Sequence, residues 1–342
     1  LVARFVNKKA KKMIEELKTE RVAIIGGNTV CGRILIDAFE ADPKILEYWV
    51  IDLHSPKGRR AKKLRFLQVD LTEPGADAIL AEKLTELKIQ TVVHSALKNN
   101  PSSNASESHE LEVIGTVNIV SAIKASLVRK LVACSTTMVY GASPKNPNYI
   151  SENKPLADHA ESRFVRDKVE AERELAHLFA DAPHVVTTIL RFCLIVGPRS
   201  KNYFTELLRR PVVPTLLGFD PLMQFISEED ALEALRKSIH EDFPGIFNIV
   251  GKGVIPLSYA LREAGRVNLP VAHFLAYPAI QLLWNLDVLP VPGRLLDYFK
   301  YLWVADGEKA KEVMSFESKL SSKEAFVKFA ENSRVQEYKW VQ

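Results

Sequence analysis

The chain has 342 residues, of which 47 % are hydrophobic and 26 % charged, an ordinary globular mixture that excludes fibrous and disordered architectures. At roughly 100–200 residues per domain, it holds one large α/β unit or two coupled ones. The 46 Lys+Arg against 42 Asp+Glu leave a net charge of +4, too balanced to imply a nucleic-acid partner.

The chain opens on Leu1 rather than Met, so residues are expected upstream. Residues 1–20 interleave Arg4, Lys8, Lys9, Lys11 and Lys12 with Phe5, Val6, Met13, Ile14 and Leu17, a basic amphipathic helix pattern. Such a helix either packs its apolar face on the body or rests on a membrane surface as a peripheral contact. It lacks the small-residue cleavage site of a secretion signal. No apolar run reaches the roughly 18 residues of a spanning helix. Cys31, Cys134 and Cys193 sit at spacings unlike any zinc or disulfide framework. The expectation is a soluble, cytoplasmic protein without a metal site, with Cys31 a small buried residue.

From Arg21 onward the texture becomes strand-then-helix. VAIIGG (22–27) is a short apolar run ending in glycines, and VCGRILIDAFE repeats apolar residues at helical spacing. Further strands are predicted at 48–53, 63–71, 91–97, 130–136 and 187–197, with helices over 76–88 and 109–126 and a short last strand at 247–250. Strands alternating with helices predict a Rossmann-type α/β fold, a doubly wound parallel sheet covered on both faces. After Gly197 the alternation weakens into Pro-containing pieces, RRPVVPTLLGFDP and LPVAHFLAYPAIQLLWNLDVLPVPG, before a helical SSKEAFVKFAEN. The predicted organisation is a helix at 1–20, a dinucleotide-binding domain at 21–197 with a later contribution around 224–251, and a smaller, mostly helical substrate lobe at 198–342. Ligands in such folds bind beyond the carboxyl ends of the strands, which would make the lobe one wall of a cleft.

The informative local motif is IIGGNTVCGR. Gly26, Gly27 and Gly32 end a strand and open a helix, with Thr29 and Val30 in the turn, where N–H groups can face a pyrophosphate. Asp52 stands twenty residues beyond Gly32, placed to hold the two ribose hydroxyls of an adenosine. A carboxylate there repels a 2′-phosphate and favours NAD over NADP, a preference softened by Lys57, Arg59 and Arg60.

More motifs follow in order: Asp70-Leu71, His94-Ser95-Ala96, VIGTVNIV (113–120), STTMVYG (135–141), RFCLIVGPR (191–199), QFISEEDALEAL (224–235) and GIFNIVG (245–251). With these the chain resembles the extended short-chain dehydrogenase/reductases, the branch of NAD-dependent epimerase/dehydratases and 3β-hydroxysteroid-dehydrogenase-like enzymes. The resemblance covers about 21–250 well and the remainder loosely. It implies that Asp70 and Leu71 contact the adenine and that Ser95 and Ala96 line the nicotinamide ribose side. It also implies a homodimer formed through helices near 109–126 and 159–180.

Two departures stand out. The middle glycine of the family's turn is Thr29, whose side chain would clash if the turn needed φ > 0. The family's chemistry uses a Tyr, a Lys four residues later and a Ser or Thr from the preceding strand. Thr136 and Lys168 match, but the position four before Lys168 is Phe164. Losing the phenol removes a general acid–base contribution on the order of 10²–10⁴-fold. Tyr140, His94 and His159 are the candidates for a substitute proton carrier, so Thr136, Lys168 and Tyr140 form the candidate catalytic set. Each of the three substitutes also has a plain reading, as a packed aromatic, a satisfied core histidine and a solvated loop residue.

For the substrate side, Arg199, Arg209 and Arg210 suit an anionic group. The apolar stretch 273–303 would line a pocket for a lipid-like substrate, lie against a membrane or fill its own core. Besides a membrane-surface partner protein that uses the basic N-terminal helix, two functions from different classes remain. One is an NAD(P)-dependent oxidoreductase or epimerase/dehydratase (an isomerase) working on an alcohol or ketone of a sugar-nucleotide or lipid-like small molecule with an atypical proton donor. The other is a non-catalytic dinucleotide-binding sensor or scaffold.

Overall fold

The computed structural model describes residues 20–56, 61–157 and 162–341. The predicted N-terminal helix therefore lies almost entirely outside the described residues, as do Lys57, Arg59, Arg60 and His159. In β1 (Glu20–Ile25) Val22, Ala23, Ile24 and Ile25 are all fully buried. A continuous apolar run of this kind is what a strand covered on both faces requires. β2 (Ile45–Asp52) and β3 (Leu64–Gln68) extend the sheet on one side. On the other lie β4 (Thr91–His94), β5 (Lys130–Thr136), β6 (Val186–Phe192) and β7 (Gly245–Ile249). The order is β7-β6-β5-β4-β1-β2-β3 with every pair parallel. The direction of winding reverses between β1 and β4, which opens a crevice at their carboxyl ends.

The helices that matter for the crevice are α1 (Val30–Ala41), α2 (Ala76–Glu86), α3 (Ala105–His109), α4 (Gly115–Lys124), α5 (Arg163–Asp181), α6 (Tyr203–Leu207) and α7 (Glu228–His240). α3 runs into α4 through a π-helical turn, Glu110–Ile114. Ser227 caps α7, whose first turn carries Glu228, Glu229 and Asp230 and whose last carries Lys237 and His240, each sign matched to the helix dipole.

Two expectations are refined. The predicted strand 187–197 breaks at Cys193, and Leu194–Val196 leaves the main sheet to pair with Phe225–Ser227. The stretch 273–303 divides into a helix, His273–Asn285, and a 3₁₀ segment, Gly293–Phe299. Leu295, Leu296, Tyr298 and Phe299 join a core with Phe204, Phe225 and Phe326, whereas Phe274 (75 % exposed), Leu275, Leu282 and Leu286 face outward. The stretch thus fills its own core on one side only. No described helix is long and apolar enough to cross a membrane.

Candidate functional site

The β1–α1 turn shows why glycine is needed at two positions. Gly26 has φ +91°, and a Cβ on it would lie 2.6 Å from the Ala96 backbone. A Cβ on Gly32 would lie 2.4 Å from the carbonyl oxygen of Gly26. Gly27 serves packing instead: its Cβ would meet Val50 at 2.3 Å. Thr29 fits without strain at φ −75° and ψ 173°. Its hydroxyl accepts from the Gly32 N–H at 3.1 Å, capping α1, while lying 2.9 Å from the Gly26 carbonyl and 3.1 Å from the Ser95 hydroxyl. The expected clash is absent because the threonine side chain turns back onto its own helix.

A cavity of about 710 Å³ runs from this turn along the carboxyl ends of β2 to β4, with Gly26, Thr29, Val30, Asp52, Asp70, Leu71 and Ala96 in its wall. Its volume lies within the range of cofactor sites. The Asp52 carboxylate accepts from the backbone and side-chain nitrogens of Asn28, both at 3.2 Å. Asp70 is tied to Thr72 and orders the loop after β3. Sequence reasoning passed over Asn28 and Arg33, which share this wall. Both belong to the glycine motif, so position within the motif was the available signal.

Thr29, Val30 and Lys98 also border a smaller cavity of about 90 Å³, which holds Ser95, Thr136, Phe164, Lys168 and Tyr203. Lys168 donates to the Lys98 carbonyl at 2.6 Å and to Glu112 at 2.8 Å, and its ammonium sits 4.2 Å from the centre of the Phe164 ring. Glu112 comes from the π-helical turn, a distortion often found at functional sites. Burial pushes its carboxyl up while the Lys168 ammonium pulls the other way. Its second oxygen has no hydrogen-bond partner among the described residues. Neither Glu112 nor Tyr203 was legible in the sequence, because no local spacing connects them to the Lys168 helix. A third cavity, about 280 Å³, shares Phe164 with the second and carries Glu112, Arg163, Arg166, Asp167, Trp284 and Arg294.

Tyr140 is placed differently from its candidate role. It is 1 % exposed, donates to Asn248 Oδ1 at 2.7 Å and accepts from Arg191 Nη1 at 2.7 Å. Arg191 in turn pairs with the buried Glu172, which also accepts from Ser135. Burial pushes the Tyr140 phenol up to about 12 despite the neighbouring guanidinium. Tyr140 lines none of the three cavities, so its phenol joins β5 to β7 rather than reaching a reacting group. His94 is likewise structural. Its Nδ1 accepts from the Ala96 N–H and its Nε2 pairs with Thr116 at 3.0 Å, an arrangement that fixes the neutral tautomer. Burial lowers its pKa to about 4.

Two of the three buried cysteines are held as thiols. Cys134 is held protonated by its hydrogen bond with Cys31 and by burial, and burial raises Cys193 to about 12. Arg199 is spent on Asp37 (2.7 Å) and Glu228 (3.2 Å), and Arg209 pairs with Glu206. Arg163, Arg166 and Arg294 border the third cavity together with the carboxylates Glu112 and Asp167, and Arg33 borders the large one.

Residues 22–249 match the model of the NAD dependent epimerase/dehydratase family. An uncharacterized protein of Mycobacterium tuberculosis is 29 % identical over 318 residues, covering 89 % of this chain and 82 % of that one. Among solved structures, dTDP-glucose 4,6-dehydratase from Bacillus anthracis in complex with NAD superposes with a TM-score of 0.70 at 16 % identity, over 94 % of this chain and 98 % of that one. A Tyr-to-Phe mutant of UDP-glucuronic acid 4-epimerase from Bacillus cereus, in complex with UDP-4-deoxy-4-fluoro-glucuronic acid and NAD, gives a TM-score of 0.69 at 16 % identity, over 92 % and 99 % of the two chains.

Proposed function

The chain belongs to the NAD dependent epimerase/dehydratase family, and from that premise we propose that it binds NAD(H) in the crevice above β1 and works on a secondary alcohol or ketone of a nucleoside-diphosphate sugar. The observation that carries the reading is that three neighbouring cavities share wall residues. The large one shares Thr29, Val30 and Lys98 with the small one, and the small one shares Phe164 with the arginine-lined one. We read the first as the dinucleotide site, the second, with Ser95 and Thr136, as the place of reaction, and the third as the pocket for an anionic group. That solved structures of similar dehydratases and epimerases hold NAD supports the choice of cofactor.

When bound, the nicotinamide supplies the hydride acceptor or donor. Asp52 would hold the adenosine ribose hydroxyls, its acceptor-only oxygens repelling a 2′-phosphate. Backbone N–H groups after Gly26 would meet the pyrophosphate at the start of α1. Lys168 spends two of its three N–H groups on Lys98 and Glu112, leaving one for the nicotinamide ribose. Thr136 would orient the reacting oxygen. Arg163, Arg166 and Arg294 suit a diphosphate, whose oxygens a guanidinium can engage in pairs.

Calorimetry with NAD⁺, NADH and NADPH tests the cofactor. NAD(H) should bind at least about tenfold tighter than NADPH, a difference of about 1.4 kcal/mol, and equal affinities would refute the role given to Asp52. Incubation with NAD⁺ and UDP-glucose, UDP-glucuronic acid or dTDP-glucose, read by mass spectrometry of the sugar product, tests the substrate class. Phe164 favours a second reading, a non-catalytic NAD-binding protein. NAD binding without conversion of any of these sugars would decide for it.

A further inference from the structure

We propose that Tyr203 supplies the phenol that position 164 lacks, acting as the proton donor and acceptor at the reacting oxygen. Four observations converge on it. Tyr203 borders the same small cavity as Thr136, Phe164 and Lys168. Its ring meets the Phe164 ring edge-on, with centroids 6.3 Å apart and planes at 72°. Its hydroxyl is buried and has no hydrogen-bond partner among the described residues, although the residue is only 2 % exposed. Leaving a hydroxyl in that condition costs about 1–3 kcal/mol. Such a group is satisfied by a partner from outside the chain, a water or a ligand.

The fourth observation is that the ring is held in place. Asn202 and Thr205 cap each other at the start of α6, and Asn202 Nδ2 reaches the Ile195 carbonyl at 2.8 Å. The Tyr203 N–H donates to the Asn99 carbonyl at 3.2 Å, tying α6 to the loop after β4. Phe299 closes the other side edge-on at 6.3 Å. The neighbouring Tyr298 is already committed, donating to the Met138 carbonyl at 2.7 Å. Of the two phenols, Tyr203 alone keeps its oxygen uncommitted. Burial raises its pKa far above the ordinary phenol range, so it rests as the protonated donor.

The step balances simply. In reduction the O–H bond of Tyr203 breaks, its proton joins the carbonyl oxygen of the substrate, and the electron pair stays on the phenolate. The two reducing electrons come as hydride from the reduced dinucleotide. In oxidation the phenolate takes the hydroxyl proton back. Phe164 then has a use of its own. Its ring covers the Lys168 ammonium at 4.2 Å and backs the Tyr203 ring, so the phenol comes from the neighbouring wall.

The inference rests on the NAD-dependent reading above, and the two fail differently. Calorimetry of NAD⁺ and NADH with wild type and Tyr203→Phe comes first. Equal affinities are expected, and absence of binding to wild type would remove the reading and this proposal together. Tyrosinate ultraviolet difference titration follows, with and without NAD⁺. The charged and titratable groups around Tyr203 are Lys168, behind Phe164, and Tyr298. A cationic nicotinamide added to them should lower one phenol pKa in wild type and none in Tyr203→Phe. A step lowered by NAD⁺ equally in both proteins would assign that phenol to another tyrosine and overturn the proposal. On whichever of the three sugar nucleotides wild type converts, Tyr203→Phe should lose 10²–10⁴-fold in kcat. The combined Phe164→Tyr and Tyr203→Phe protein should recover it, a rescue that a merely structural role would not show. If Tyr203→Phe fails to fold, isosteric 3-fluorotyrosine at position 203 replaces it. The more acidic phenol should move the alkaline limb of the kcat–pH profile to lower pH, and an unmoved limb refutes the assignment.

Discussion

Replacing Tyr140 by phenylalanine separates a structural phenol from a catalytic one. The change removes one oxygen from a network running from Ser135 through Glu172, Arg191 and Tyr140 to Asn248. Arg191 Nη1 loses an acceptor at 2.7 Å and Asn248 Oδ1 loses a donor at 2.7 Å. Both residues are buried, with Asn248 at 0 % and Arg191 at 2 % exposure, so water does not readily replace the lost partner. A hydrogen bond to a charged group contributes about 1.5–3 kcal/mol, and an orphaned buried acceptor costs about 1–3 kcal/mol. These overlap within one network, so the expected loss is about 2–4 kcal/mol in unfolding free energy. Urea unfolding followed by circular dichroism measures it. NAD(H) affinity of the folded protein should stay within about twofold, under about 0.5 kcal/mol, because Tyr140 borders none of the cavities. Unchanged stability together with a turnover loss of about 100-fold or more would refute this reasoning and return Tyr140 to the catalytic set.

Gly32→Ala gains up to about 1 kcal/mol of helix propensity but drives a methyl to 2.4 Å from the Gly26 oxygen and 2.8 Å from the Gly27 Cα. Overpacking against backbone costs about 1–3 kcal/mol, so NAD(H) affinity should fall about tenfold, and an unchanged dissociation constant by calorimetry would show that the turn does not carry the cofactor. Thr29→Gly restores the family's residue but removes the α1 cap and two further contacts. Stability should drop by about 0.5–1 kcal/mol in a urea titration, and a gain would mean that the threonine strains the turn. His240 bridges Glu20 at 3.0 Å and Asp42 at 3.1 Å, and the Glu20 hydrogen bond chiefly holds its pKa above the ordinary histidine value against burial. Its contribution is complete below about pH 6.5 and disappears as pH rises through the raised folded value. Thermal unfolding should therefore show wild type ahead of His240→Gln at pH 6 and the gap closing toward pH 9, and a gap independent of pH would contradict the assignment.

The alternation of strands and helices, the glycine turn and Asp52 were legible because each depends on residues close together in the chain. An apolar run bounded by glycines makes a buried strand wherever it occurs, and the β1–α1 turn brings its own N–H groups with it. Thr29 was read as an obstacle because the sequence shows a side chain but not its rotamer. The strand at 187–197 was read as unbroken because periodicity does not reveal that Cys193 ends its pairing with one sheet and Leu194 begins another.

The sequence by itself determined the doubly wound sheet, the glycine turn between β1 and α1, and the phenylalanine four residues before Lys168. These follow from hydrophobic period, turn chemistry and fixed spacing along one segment. Only the tertiary structure decided what surrounds Phe164. It set Tyr140 against Arg191, 51 residues away, and Glu112 against Lys168, 56 residues away, and it brought Tyr203 edge-on to the empty position. Which polar group is satisfied and which is left open depends on the geometry of distant segments packed at a few ångströms, and no local pattern of residue types records that.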